Sequence, residues 1–227
     1  MSIWTRIADT LASIGESVGA FLQSIVARNP TPPEKSVAFT IGMIGLGAKM
    51  AKADGVVTED EIKAFKQVFH IPDGELATVA RVFNLAKQDV AGYETYAKQI
   101  AKLFAARAEV LEDVLDGLFH IAKADNAFHP GEHGFLRRVA EIFGFSEADF
   151  ARIRARHVDV PDDPFLILGL APGASSDEVR KRYRDLVREH HPDRHIAAGV
   201  PEEMVELATQ RLQKINEAYD RIMEMAA

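Results

Sequence analysis

Apolar residues recur at helical spacing along almost the whole chain, and this periodicity limits the fold more than any other feature of the sequence. From Glu34 to about His157 no run shows the sustained apolar–polar alternation of a strand, and β-hairpin signals such as Asn-Gly are missing. Glycines and prolines divide the pattern into pieces of ordinary helix length. The sequence therefore predicts an all-α protein.

The composition narrows the class of protein further. The 227 residues are 47% hydrophobic and 27% charged, which is typical of a soluble globular chain with one large domain or two small ones. The absence of cysteine excludes disulfides, thiolate metal sites and a cysteine nucleophile. The net charge of −7 argues against general nucleic-acid binding. Because no nucleophile elbow, phosphate loop or metalloprotease motif is present, we do not expect an enzyme.

Residues 1–28 carry an apolar stripe opposite a face rich in Ser, Thr, Gly and Gln, which predicts one amphipathic helix before a proline-rich linker at residues 29–33. Three roles are open for this helix: packing on the next domain, self-association, or contact with a membrane surface. The longest uncharged stretch, Ser36 to Ala48, is too short to span a bilayer, and no secretory signal is evident. We therefore expect a cytoplasmic protein, with the membrane-surface role placing it peripherally on the cytoplasmic face.

A second linker at residues 158–164 precedes a C-terminal module at 163–227. Within it, Ser175-Ser-Asp-Glu178 is a capping box that predicts a helix running to about His190. The basic residues of this helix are Arg180, Lys181, Arg182, Arg184 and Arg188. The helix leads directly into His191-Pro192-Asp193, and the predicted last helix contains Lys214-Ile-Asn-Glu-Ala-Tyr219.

Together, these motifs resemble the J domain of DnaJ-type cochaperones over about residues 163–225. The resemblance implies a helical hairpin that binds a DnaK-class heat-shock ATPase and stimulates its ATP hydrolysis. The five basic residues would hold an acidic surface of the ATPase, and His191, Pro192 and Asp193 would engage it near its interdomain linker. Two features depart from the family pattern: Pro164-Phe165 replaces an aromatic pair, and His190 replaces the usual Tyr.

The histidines of this module also allow a metal-binding interpretation. His190, His191 and His195 could bind a metal together with Asp193, although the sequence shows no rigid three-ligand arrangement.

The region from Glu34 to His157 contains an internal repeat. Ala51-Lys-Ala-Asp54 recurs as Ala122-Lys-Ala-Asp125, and a glutamate follows each aspartate by seven residues, at Glu61 and Glu132. The repeat indicates two helix–turn–helix units that share one core. The region, 34–157, resembles the TerB-like domain, an all-helical fold associated with tellurite resistance. A TerB-like region before a C-terminal J domain is the arrangement of DjlA-like proteins.

The repeated acids have two interpretations. Some TerB-like proteins are associated with divalent metals, so the resemblance implies that Asp54, Glu61, Asp125 and Glu132 could hold Ca²⁺ or Mg²⁺, the cations that oxygen ligands favour. Alternatively, Thr58-Glu-Asp-Glu61 is a capping box and needs no metal. We predict a J-domain cochaperone, and the alternative is a metal-binding or stress-sensing adaptor whose J domain is secondary or degenerate.

Overall fold

The computed structural model describes residues 3–13, 17–28, 30–54, 59–69, 71–89, 92–105, 107–124, 130–157, 163–198, 200 and 205–225. Helices account for 83% of the structure and no strand occurs in these residues, so the predicted all-α class is confirmed. The helices are α1 (Ile3–Ser13), α2 (Val18–Val26), α3 (Pro32–Asp54), α4 (Glu59–Phe69), α5 (Leu76–Gln88), α6 (Tyr93–Leu103), α7 (Ala108–Ala122), α8 (Pro130–Phe143), α9 (Glu147–Ala155), α10 (Pro164–Leu168), α11 (Ser176–Glu189), α12 (Pro192–Ala198) and α13 (Val205–Met225).

The helices form two groups, each with its own hydrophobic core. We call α1–α9 the helical body and α10–α13 the C-terminal unit. The core of the C-terminal unit is small and consists of Ile167, Leu168, Val179, Leu186, Ile215, Ala218 and Ile222. Two further residues of the unit, Val200 and Leu207, are instead buried in the core of the helical body. The C-terminal unit is therefore packed onto the helical body.

Helix α3 lies at the centre of the helical body. Every residue from Val37 to Ala48 is buried, and the helix packs against α1, α2, α5, α6, α7 and α8. A helix that is apolar on all sides must be surrounded by others. Glycine allows α6 to approach closely, because a Cβ on Gly45 would collide with the Tyr96 ring. No helix in the described parts of the chain is long and apolar enough to cross a membrane.

The N-terminal segment forms two helices, α1 and α2, so the prediction of one continuous helix was wrong. Ser17 interrupts the helical conformation with φ −126° and ψ 111°, and its hydroxyl accepts a hydrogen bond from the N–H of Ala20. A serine in this position caps a new helix. Of the apolar side chains that were predicted to form a stripe, Trp4, Ile7, Val18 and Leu22 are buried in the core of the helical body, and Ile3, Phe21 and Ile25 are partly buried against it.

Asp89 anchors α2 to the helical body. Its Oδ2 accepts hydrogen bonds from the N–H of Gly19 at 2.9 Å and from the hydroxyls of Ser17 and Tyr96 at 3.0 Å each. A carboxylate at a helix N-terminus also complements the helix dipole. Of the three roles open for residues 1–28, packing on the following domain is the one that these contacts support. Membrane contact and self-association stay predictions, and insertion of the buried apolar side chains into a membrane would require them to leave the core.

The C-terminal unit follows the predicted pattern at its first long helix. The capping box of α11 is confirmed, because the Ser175 hydroxyl accepts from the N–H of Glu178 while the Glu178 carboxylate accepts from the N–H of Ser175. Helices α11 and α13 pack together, and the rings of Tyr183 and Tyr219 stack with centroids 4.1 Å apart. The segment between these helices was predicted to be a loop, but it contains the short helix α12. Proline at the first position of α12 suits a helix start, where no N–H donor is needed.

Candidate partner-binding site

The basic face of α11 is the first part of the candidate site. Its exposed members are Arg180, Lys181, Arg184 and Arg188. The side chain of Arg188 keeps 75% of its surface exposed, and its nearest acid, Asp185, lies 3.9 Å away on the same helix. A pair of this kind in solvent contributes little stability and leaves the positive charge accessible. An exposed basic face suits an acidic partner surface, which it would attract and orient.

Arg182, which was predicted to share that surface, has a different environment. Its Nε donates a hydrogen bond to the carbonyl oxygen of Leu168 at 3.1 Å, and its Nη1 lies 3.6 Å from the carboxylate of Glu189. The side chain is 31% exposed. These contacts join α11 to α10, so Arg182 contributes to the packing of the C-terminal unit.

The His191-Pro192-Asp193 motif lies where α11 ends and α12 begins. The side chains of His191 and Asp193 are 53% and 87% exposed. The N–H of Asp193 donates to Nδ1 of His191 at 3.3 Å, which closes a tight local turn around Pro192. The imidazole and the carboxylate are thus presented to solvent beside the basic face of α11.

The histidines on either side of the motif, at positions 190 and 195, are buried. His190 is 3% exposed and His195 is fully buried. Nδ1 of His190 accepts a hydrogen bond from Nη1 of Arg211 at 2.8 Å, and the His195 ring contacts the carboxylate of Asp113 on α7. Burial lowers the pKa of His190 to about 2, aided by the charge of Arg211, so this imidazole is neutral at physiological pH. These contacts direct both imidazole rings into the protein interior, against Arg211 and Asp113, so neither ring is part of the exposed surface of the motif.

A group of buried charges joins the two groups of helices. We call it the charge cluster, and its members are Glu112, Asp113, Asp116, Arg152, Arg156 and Arg211. Three carboxylates of α7 are matched there by Arg152 of α9, by Arg156 directly after α9, and by one arginine of α13. Each member is buried. The numbers of positive and negative groups are equal only when the arginine of the C-terminal unit is included.

The geometry within the charge cluster is close. Arg152 donates to both carboxylate oxygens of Glu112, at 2.9 and 3.1 Å. Arg211 reaches Asp116 through Nε at 2.7 Å and Asp113 through Nη2 at 2.7 Å. Burial by itself would raise the pKa of Glu112, but the guanidinium groups of Arg156, Arg211 and Arg152 outweigh it and hold that pKa well below its usual range.

The predicted metal ligands are only partly within the structure. Glu132 is buried in the first turn of α8. The side chains of Asp54 and Glu61, and all of Asp125, lie outside the residues that the structure describes. Among the described residues, no three metal-ligating side chains come together in one place. Metal binding by the repeated acids stays a prediction.

The charge cluster was not predicted, although two features of the sequence indicate it. Glu112, Asp113 and Asp116 are spaced so that they share one face of α7, and this face is followed in sequence by apolar residues on every other side of the helix. Arg211 lies four residues from both Leu207 and Ile215, in the middle of the apolar stripe of α13. A charge in the middle of an apolar stripe indicates a buried partner.

Comparison with known proteins agrees with this division of the molecule. The family model described as "Tellurite resistance protein TerB" matches residues 40–155, and the model described as "DnaJ domain" matches residues 163–225. The co-chaperone protein DjlA of Coxiella burnetii is 30% identical over 198 residues, covering 78% of this chain and 73% of the relative. DjlA of Photobacterium profundum is 30% identical over 216 residues, covering 83% and 78%.

DjlA of Escherichia coli strain K12 is more distant, with 25% identity over 218 residues that cover 84% of this chain and 80% of the relative. No solved structure matches the chain. The helical body thus contains the region that matches TerB, and the C-terminal unit is the J domain. The chain belongs to the DjlA family of J-domain co-chaperones, in which a TerB-like helical domain precedes the J domain.

Proposed function

We propose that this protein binds a DnaK-class heat-shock chaperone and stimulates its ATP hydrolysis. The observation that carries the proposal is the exposure of His191 and Asp193 at the end of the exposed basic face of α11. The basic face would attract and orient an acidic surface of the ATPase. The motif would then act on the bound ATPase, and the catalytic groups for hydrolysis would belong to the partner.

Both departures from the family pattern have a structural role that is compatible with activity. Pro164 is the first residue of α10, whose N-terminus is capped by the Asp163 carboxylate accepting the N–H of Phe165 at 2.9 Å. His190 replaces a tyrosine and provides a neutral acceptor for Arg211. Neither change covers the exposed motif, which argues against the alternative of a degenerate J domain.

The experiment is a steady-state ATPase assay of a DnaK-class chaperone with increasing amounts of the full chain. We expect the unmutated protein to accelerate hydrolysis and His191→Gln to abolish the acceleration. Because His191 is exposed, the substitution should change the free energy of unfolding by less than about 0.5 kcal/mol. His133→Gln, on α8 of the helical body, is the matched control and should keep full stimulation. A folded, unmutated protein that does not stimulate the ATPase at saturating concentration would refute the proposal.

A further inference from the structure

The orientation of the His191-Pro192-Asp193 motif depends on the buried side of α12. Asp193 and Ile196 are three residues apart on this helix, so they share one side, and both are exposed. His195 points to the other side, where it is fully buried against Asp113 of α7. Because α12 has only seven residues, the contact of His195 fixes the direction in which Asp193 is presented.

Arg211 holds the two ends of the motif together. Its Nη1 donates to His190, immediately before the motif, and its Nη2 lies 2.7 Å from Asp113, which contacts His195 just after it. The arginine is fully buried, so its position is set by these partners. One guanidinium therefore links both flanks of the motif to a single carboxylate of the helical body.

Asp113 differs from its two neighbours in the charge cluster. Glu112 and Asp116 each have an arginine partner within the helical body, Arg152 on α9 and Arg156 at its C-terminal end. In the described part of the chain, the basic groups within 4 Å of Asp113 are His195 and Arg211, and both belong to the C-terminal unit. A buried carboxylate without a partner is strongly unfavourable. The Asp113 carboxylate is thus matched only when the C-terminal unit is docked with the motif in this orientation.

We propose that Asp113 is a positioning residue for the co-chaperone function, which holds the motif in the orientation that couples to ATP hydrolysis by acting through His195 and Arg211. The inference rests on the proposed function and assigns part of it to the TerB-like domain. The basic face of α11 does not depend on these contacts, because its exposed arginines point to solvent. The positioning role therefore predicts that loss of Asp113 lowers the maximal stimulation of ATP hydrolysis, while the affinity of the protein for the ATPase changes little.

The test variant is Asp113→Asn in the full chain, which keeps the shape of the side chain and removes its charge. We expect amide hydrogen exchange in residues 192–198, followed by mass spectrometry, to accelerate by roughly tenfold or more as the segment loses its anchor. Maximal stimulation of a DnaK-class ATPase should fall several-fold. The concentration that gives half-maximal stimulation should stay within about twofold, since the exposed charges set association.

A control separates positioning from general destabilisation. Val82→Ala creates a small cavity on α5, which packs against α1, α2 and α3. It should lower the melting temperature while leaving exchange in residues 192–198 and maximal stimulation unchanged. His195→Ala removes one of the two contacts of Asp113, so it should change exchange and maximal stimulation in the same direction as Asp113→Asn. The double variant should have less effect than the sum of the two single ones, because they share that contact. If Asp113→Asn does not fold, His195→Ala tests the His195 contact by the same two measurements.

Two results would overturn the inference. One is wild-type exchange of residues 192–198 in Asp113→Asn, and the other is full maximal stimulation despite faster exchange. An unmutated protein that does not stimulate the ATPase refutes the proposed function instead, and the exchange measurement then still reports whether Asp113 holds the motif.

Discussion

Helices α7 and α11 both carry many charged residues, but the two helices use their charge in opposite ways. On α7, Glu112, Asp113 and Asp116 are buried and paired with arginines. On α11, Arg180 and Arg188 are exposed and only weakly paired. Both helices carry their charges on one face, and what covers that face accounts for the difference. The acidic face of α7 is covered by α9, α12 and α13, whereas the basic face of α11 is exposed. The comparison shows that charge density alone does not distinguish a partner-binding surface from an internal contact.

The largest effect should come from Arg211→Met, which removes a cation from the buried charges that meet on α7. Methionine preserves most of the volume but leaves Asp113 and Asp116 without their shared cation. We expect the free energy of unfolding to fall by about 3–5 kcal/mol, measured by urea denaturation. Arg188→Met on the exposed helix is the matched control and should change it by less than about 0.5 kcal/mol. A loss below about 1 kcal/mol for Arg211→Met would mean that the charge cluster tolerates an unpaired carboxylate, contrary to its geometry.

Lowering the pH should also reduce the free energy of unfolding, by a smaller amount, through the buried histidine next to Arg211. The folded pKa of His190 is about 2, below its ordinary value of 6.5, so the unfolded chain takes up a proton that the folded chain does not. The contribution of His190 to the free energy of unfolding is therefore fully present above pH 6.5. It declines as the pH falls, by about 1.4 kcal/mol per pH unit, and reaches a loss of roughly 2 kcal/mol by pH 5. The lowered pKa of the partly buried His157 acts in the same direction.

The variant His190→Asn isolates the contribution of His190. The asparagine oxygen can accept the hydrogen bond of Arg211 without titrating. Thermal melts from pH 7 to pH 5 should show a shallower loss of stability for this variant than for the unmutated protein. Equal pH dependence of the two proteins would assign the effect to other groups.

Alanine substitutions on α11 should give the smallest effects. They distinguish an exposed arginine that contacts the partner from one that packs within the C-terminal unit. Arg188→Ala should raise the concentration for half-maximal ATPase stimulation about twofold to fivefold at low salt, and by less at high salt, where exposed charges are screened. Arg182→Ala should instead lower the melting temperature, because it removes the hydrogen bond to Leu168. If the two variants weakened association equally, Arg182 would belong to the partner surface after all.

Sequence patterns predicted the features whose causes are local. The capping box from Ser175 to Glu178 and the apolar stripe of α13 depend on residues a few positions apart, and both are present in the structure. The contact between the C-terminal unit and the helical body joins residues that are far apart in the chain, such as Asp113 and Arg211, so helical spacing could not pair them. The break at Ser17 was missed because the apolar stripe continues across it, while its stabilising partner, Asp89, lies on a distant segment.

The pairing of Asp113 with Arg211 has a consequence for how such a protein can be recombined. A J domain taken from another co-chaperone would fold on its own local signals, yet without a cation at this position it would leave a carboxylate of the recipient uncompensated. The helical body and the C-terminal unit therefore cannot each be exchanged independently of the other. We expect positions 113 and 211 to be inherited together, so that a domain exchange succeeds only when the acid and its arginine are transferred as a pair.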